Sequence, residues 1–468
     1  MVKKKESSNK NLEKKLFSKK ENIWNSFKKN DIKNVFQFSE DYKSFLDVSK
    51  TERLAVIETE KILKKNKFKN IRDFKSLKVG DKFYKIIKSK CIISGVVGKD
   101  KDLLKMIGSH IDSPRLDLKP NPLYEDSDFA LLKTHYYGGI KKYQWLNWPL
   151  MITGVVFTKD NKQVTINIGD SENDPKFIIS DLLPHLARDQ MAKEARKLVE
   201  GESLNLFVGS IPVNDSKVKE KIKFEVLKKL NKDYGIVEDD FNFAELQVVP
   251  AHKSMDLGFD RSLIAGYGQD DKVCAYISLR SLLDQKKSNS TNLVIFFDKE
   301  EIGSVGNTGA ASLVLSDFVE EYISLTGIQK SVSEVFSNSL AISADVTAGV
   351  DPNFKEVNEL RNSTFLNKGV AIEKYTGSGG KYSASDANAE YLSYIRKILI
   401  KNKIQYQFGE LGKIDLGGGG TIALYLAKYG LEIVDVGVPV LGMHSPNEIV
   451  SKADVFECYR FYKAFFEF

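Results

Sequence analysis

At 468 residues the chain is too long for one ordinary hydrophobic core, so two domains are expected. Hydrophobic residues make up 42% and charged residues 28%, the proportions of a soluble globular protein and not of a disordered or membrane-embedded one. A net charge of +7 is mild at this size and by itself argues for neither a nucleic acid nor a membrane partner.

The three cysteines, Cys91, Cys274 and Cys458, are odd in number, far apart and free of CxxC spacing. That pattern suits a reducing compartment and offers neither a disulfide framework nor a thiolate metal site. The start, MVKKKESSNKNLEKK, has basic residues but no apolar stretch after them, and no run of 18 apolar residues occurs. Neither a secretory signal nor a membrane span is therefore expected, and the cytoplasm is the expected location.

Within residues 1–34, Leu16, Phe17, Ile23, Trp24 and Phe27 are spaced like one face of a Lys-rich helix. Such a helix can bind RNA or an acidic surface, but more simply docks by its apolar stripe. Residues 54–64 continue helically, residues 83–97 look like a pair of strands, and residues 103–107 form a short apolar strand running into Gly108-Ser109-His110-Ile111-Asp112-Ser113-Pro114. From about 118 to 252 the texture changes. Residues 152–158 and 163–169 flank Lys159-Asp160-Asn161-Lys162, a hairpin signal, and residues 223–230 look helical. This stretch reads as an inserted, strand-rich domain at 118–252, leaving 1–117 and 253–468 as one discontinuous domain.

Beyond it, Val273, Tyr276, Ile277 and Leu279 give residues 272–283 helical periodicity. Residues 293–297 are five apolar residues without alternation, as in a strand buried on both faces, and Asp298, Glu300, Glu301 and Gly303 follow. Residues 340–344 form another strand, stopped by Asp345; residues 431–441 are a last apolar segment before Gly442-Met443-His444-Ser445-Pro446. Ser451 with Asp454 has the spacing of a capping box for a closing helix whose core face is Val455, Phe456, Tyr459, Tyr462 and Phe466. Alternating strands and helices on both sides of the insert predict an α/β fold, a mixed, mostly parallel sheet sandwiched by helices.

Four apolar segments are thus followed by His110, Glu301, Asp345 and His444, and a fifth candidate, Asp270, precedes a helix. Ligands and chemistry in α/β proteins sit where strands end. Two histidines and three carboxylates form a mixed N/O donor set suited to zinc, with cobalt or manganese as alternatives. Five donors exceed one catalytic zinc site and suit two ions sharing a bridging carboxylate. Taken singly, each is equally at home in a solvated turn or a satisfied core.

The motifs GSHIDSP, GQDDKV, DKEEIGS, SADVTAGVDPN and GMHSPNE, in that order, resemble those of the aspartyl aminopeptidase and vacuolar aminopeptidase I family of dinuclear zinc peptidases. The likeness runs from about residue 40 to the C-terminus and includes the insert, which in that family is a lid and dimerisation domain. It implies that Asp270 bridges two metals, that His110 and Asp345 complete one site, and that Glu301 and His444 complete the other. It also implies Glu300 as general base and Asp112 as the carboxylate that orients His110. Two cations ~3.5–4 Å apart can activate a water and polarise a peptide carbonyl. Peptides with a free N-terminus would be the substrates, and a homo-oligomer, up to a dodecamer built from dimers, the assembly.

The sequence also departs from the family. Animal members carry two histidines where Ala348 and Asp351 stand, and a lysine that holds an acidic side chain where Glu373 stands. Lys374 or Lys381 are substitutes for that cation; otherwise Glu373 should repel acidic substrates and leave neutral ones favoured. His185, in Leu183-Pro184-His185-Leu186-Ala187, matches an insert motif whose histidine reaches a neighbouring subunit's site. Two other readings stand beside an aminopeptidase: a carboxypeptidase or deacylase on a similar metal core, and a nucleic-acid-binding protein using the basic N-terminus. The second lacks interleaved aromatics or a recognisable module.

Overall fold

Alternate side chains of the strand Ser290–Phe297 enter different cores. Val294 and Phe296 join the cluster on one face of a large sheet; Leu293, Ile295 and Phe297 join the cluster on the other. All five are at most 1% exposed, and full burial of such a side chain contributes roughly 1.5–3 kcal/mol. Two-sided burial is why the apolar run shows no alternation. The computed structural model describes residues 9–13, 15–17, 21–286 and 288–468.

Among the described residues this sheet has nine strands, in the spatial order Lys69–Asn70, Lys82–Ile87, Cys91–Val96, Ser290–Phe297, Asp100–His110, Leu340–Ser343, Glu432–Gly437, Val370–Glu373 and Tyr406–Phe408. The four from 290–297 through 432–437 are mutually parallel, with antiparallel strands toward both edges. One face is covered by the helices Lys29–Val48, Glu52–Lys65, Gln269–Asp284, Ala389–Lys401 and Lys452–Glu467; the other by Val314–Thr326, Val332–Ser337 and Ala423–Ala427. The fold is the expected α/β sandwich. Register then fixes what the strand ends present. Phe297 pairs with His110 and Ser343 with Gly108, so the segments carrying His110, Glu300, Glu301 and Asp345 leave the sheet at one level.

A second, six-stranded sheet comes from residues 115–250, in the order Gln163–Ile168, Leu150–Phe157, Ala244–Pro250, Arg115–Asp126, Phe129–Tyr137 and Asn205–Gly209. It has its own core around Trp145, Leu150, Leu206 and Val248. Its first strand begins at Arg115, three residues before the boundary expected from sequence. A five-stranded sheet, including Pro439–Leu441 and Glu448–Ser451, supports the loop that carries His444.

Two local expectations differ from the structure, and the last apolar segment proves to be divided. Residues 431–441 are two strands in two sheets, Glu432–Gly437 and Pro439–Leu441. The chain turns at Gly437, where a Cβ would lie 1.7 Å from the Asp345 carbonyl oxygen. Ser451 and Asp454 form no capping box. Asp454 instead accepts the N–H groups of Asn367 (2.6 Å) and Gly369 (2.7 Å), and burial pushes its carboxyl up to about 7. The apolar residues 16–27 do not share one helical face: Ile23 is buried on a short 3-10 turn, Ile23–Ser26, while Leu16 and Phe17 are each 66% exposed. Residues 1–8, 14 and 18–20 of the Lys-rich start lie outside the described residues.

Candidate metal centre

Asp270 sits at the start of the helix Gln269–Asp284, where the Asp270–Asp271 peptide bond is cis. One carboxylate oxygen, Oδ1, lies 3.1 Å from His110 Nε2; the other, Oδ2, lies 3.1 Å from His444 Nε2. Asp345 Oδ1 approaches His110 Nε2 at 3.7 Å, and Glu301 Oε2 approaches His444 Nε2 at 3.4 Å. Glu300 Oε2 stands 3.9 Å from His110 Nε2 and faces the cleft. The five residues expected as ligands, together with Glu300, are therefore brought to one place.

Both imidazoles are oriented through their other nitrogen. His110 Nδ1–H donates to the Asp112 carbonyl (3.0 Å) and His444 Nδ1–H to the Gly139 carbonyl (2.8 Å). A carbonyl only accepts, so each Nδ1 carries a proton and each ring turns Nε2 into the cluster, where it donates to the Asp270 carboxylate or, with a cation bound, would offer it a lone pair. Asp112 does more than orient His110. Its carboxylate accepts the backbone N–H groups of Glu300 (3.1 Å) and Glu301 (3.2 Å) and the Tyr137 hydroxyl (2.8 Å). The acidic pair is held on the short turn Glu300–Ile302, between left-handed Lys299 and Gly303.

Burial works against ionisation of Asp270, yet the imidazoles of His110 and His444 keep its carboxyl below the ordinary range. Burial raises Glu300 to about 8 and also raises Glu301 and Asp345, with surrounding carboxylates adding to each shift. The donor set fits divalent cations. Asp271 Oδ1, Asp271 Oδ2 and Glu301 Oε1 are buried with no hydrogen-bond partner, and His110 groups with Asp270 and Glu301 on one side and with Asp271 and Asp345 on the other. Buried carboxylates left without donors call for a cation.

Two residues without an assigned role in the sequence reading belong here. Glu448, the last residue of GMHSPNE, is buried and accepts the backbone N–H groups of His444 (2.8 Å) and Asp270 (3.1 Å). Asp271, the second acid of GQDDKV, faces the Asp345 side. Both lie inside motifs that also carry expected ligands, GQDDKV and GMHSPNE, and that was the signal for them. Tyr137 and Gly139 gave none, because their contacts cross from the second sheet.

A cleft of 650 Å³ opens from the cluster toward Glu373, Lys381, Glu410 and a glycine-rich wall at 417–420. Glu373 is buried, and its Oε1 accepts the Thr347 hydroxyl. Lys381 pairs with Asp386 (2.9 Å) and lies 3.8 Å over the Tyr375 ring. Lys374 is exposed and Asp351 accepts the Asn353 N–H; neither lines the cleft. His185 is exposed on the turn Pro184–Leu186, also outside the cleft wall.

The profile of the family described as Aminopeptidase I zinc metalloprotease (M18) matches residues 45–466. The chain is similar to a probable M18 family aminopeptidase 1 of Clostridium acetobutylicum, 47% identical over 458 residues, covering 96% of this chain and 98% of that protein. The crystal structure of an M18 family aminopeptidase from Thermotoga maritima superposes with a TM-score of 0.93 at 45% identity, covering 96% of this chain and 100% of that one. The mature aminopeptidase 1 dodecamer of S. cerevisiae shares the fold, with a TM-score of 0.73 at 22% identity over 91% of this chain and 95% of that one.

Proposed function

The chain belongs to the aminopeptidase I (M18) family of zinc metalloproteases and is a metal-dependent aminopeptidase; on that footing we propose how its residues divide the work. Asp270 would be shared by two divalent ions, most simply zinc, with His110 and Asp345 holding one and His444 and Glu301 the other. The observation that carries this division is Asp270 itself, with one oxygen 3.1 Å from each imidazole. When bound, such ions acidify water and polarise a carbonyl.

Glu300 serves as general base. It lies beside Glu301, is only partly buried and faces the cleft, so its carboxylate can take a proton from the attacking water and hand it to the departing amine. Asp112 keeps the base in place through the Glu300 N–H, and Glu448 joins the two halves of the cluster through the main chain. Residues 115–250 act as the lid and dimerisation unit, and the assembly is a homo-oligomer, up to a dodecamer built from dimers. The separate core of that unit and the yeast dodecamer support the reading. Three buried free thiols suit a reducing cytoplasm. No helix among the described residues is long and apolar enough to cross a membrane.

Family membership does not favour the carboxypeptidase, deacylase or nucleic-acid readings. The test is a set of aminoacyl β-naphthylamides and their N-acetylated counterparts, assayed on chelated protein reconstituted with zinc, cobalt or manganese. Two metal equivalents, with turnover of free-amine substrates alone, are expected. One equivalent at full activity would overturn the dinuclear assignment.

A further inference from the structure

We infer that Ser343, Asp435 and Glu373 form a seat for a cationic side chain, so that the enzyme favours peptides beginning with Lys or Arg. The inference rests on the aminopeptidase reading and goes beyond it by naming the substrate class.

The three residues stand in one row across three neighbouring strands. Ser343 is the register partner of Asp435, and Asp435 is the register partner of Glu373. Register partners project to the same face of a sheet, so their side chains share one side at the strand ends beside Asp345. Asp435 is 4% exposed and Glu373 8%. Like charges directly opposite one another across a strand pair are destabilising, and burial makes this pair costlier still. The charged groups that act most on Glu373 are Asp435, Asp345 and Glu410, all carboxylates.

Hydroxyls satisfy only part of the row. Thr347 donates to Glu373 Oε1, and Thr421 donates to Asp435 Oδ1 at 2.7 Å. Asp435 Oδ2 and the Ser343 hydroxyl are buried without a well-formed hydrogen bond, and the hydroxyl lies close enough to ease the Asp435 carboxylate only in part. Among the described residues no Lys or Arg pairs with either carboxylate. Lys381, the lysine nearest in sequence that lines the cleft, is engaged by Asp386 and Tyr375. Glu373 and Thr421 line the same cleft as Asp270, Glu300, Glu301 and His444. A peptide held at the cluster by its N-terminal residue therefore meets the row at Glu373, with Asp435 beside it as its cross-strand neighbour. An ammonium or guanidinium supplies the missing donors and the missing charge together. An acidic side chain would add a third carboxylate, and a neutral one would leave the pair as it is.

The experiment uses the metal-loaded, full-length protein and compares kcat/KM for lysyl, arginyl, leucyl and glutamyl β-naphthylamides. Lysyl and arginyl substrates are expected to lead. Glu373→Gln and Asp435→Asn should each lower the lysyl-to-leucyl ratio about tenfold or more, the scale for losing one partner of a buried charge pair. A ratio unchanged in both variants, or a leucyl or glutamyl lead in the parent, overturns the inference while the aminopeptidase stands. Absence of turnover on every free-amine substrate overturns both. Free L-lysine and L-norleucine, which share a six-carbon chain and differ by the terminal ammonium, serve as competitive inhibitors of the unaltered enzyme, so no variant need fold. Tighter inhibition by lysine supports the seat; equal inhibition overturns it. Replacing choline chloride with potassium or sodium chloride at equal ionic strength should leave the lysyl-to-leucyl ratio unchanged. Loss of the lysyl advantage in either salt would make the row an inorganic cation site and overturn the proposal.

Discussion

Two groups of buried carboxylates, one lining the cleft and the other meeting it through Glu373, are furnished differently. Around Asp270, carboxylates meet the imidazoles of His110 and His444, whose Nδ1 atoms are tied to carbonyls. In the row of Ser343, Asp435 and Glu373 the companions are hydroxyls, and no imidazole or paired Lys or Arg is present among the described residues. The contrast teaches where each missing cation comes from. Imidazoles with directed lone pairs are companions for a resident metal. Hydroxyls beside an acidic pair that meets the cleft at Glu373 leave its charge to be matched by a group that arrives and departs.

Four experiments break or sharpen that contrast. The largest effect belongs to Asp270→Ala, which removes both bridging oxygens; metal content and turnover should fall together to background, by elemental analysis beside kinetics. Two retained equivalents would show that Asp270 does not bridge. Next comes Glu300→Gln, which keeps the shape of the side chain but cannot accept a proton. A loss on the order of 10²–10⁴ in kcat with metals retained is expected, and loss of metal would make Glu300 a ligand.

Glu373→Gln addresses the other group through pH. Burial first, with Asp435 and other carboxylates adding, raises the Glu373 carboxyl to about 8 from an ordinary value of 4.5. Between those values the native state binds more protons than the unfolded chain, so this group makes stability fall as pH rises through the window and level off above it. Melting of the metal-loaded variant at pH 5, 6, 7 and 8 should show a flatter decline, by about 1–3 kcal/mol across the range. A variant with the parent's slope would mean that Glu373 is ionised throughout. The smallest effect is Tyr137→Phe. Deleting one hydroxyl from Asp112 should cost about 1–2 kcal/mol in stability and lower kcat less than tenfold, with KM held.

What could be read from sequence was whatever a short window contains. The unbroken run 293–297 announced its two-sided burial, and His110, Asp345 and His444 each stood just past an apolar segment. What could not be read depends on register or on a distant partner. Glu373 and Asp435 become opposite neighbours only through the antiparallel pairing of their strands. Asp454 carried the local signature of a cap but found stronger donors at Asn367 and Gly369. Gly437-Val438-Pro439 did punctuate the run 431–441, and the break between two sheets falls there.

The carbonyl of Gly139 that holds His444 lies 305 positions earlier in the chain, beyond the end of the strand Phe129–Tyr137. Coupling of this kind is reciprocal. Whatever loads the free nitrogen of that ring also fastens the bend at Gly138 and Gly139, and whatever displaces the bend releases the ring. Occupancy in one half of the molecule is thereby written into the rigidity of the other, and protection of the Gly139 segment from hydrogen exchange becomes a gauge of how full the centre is.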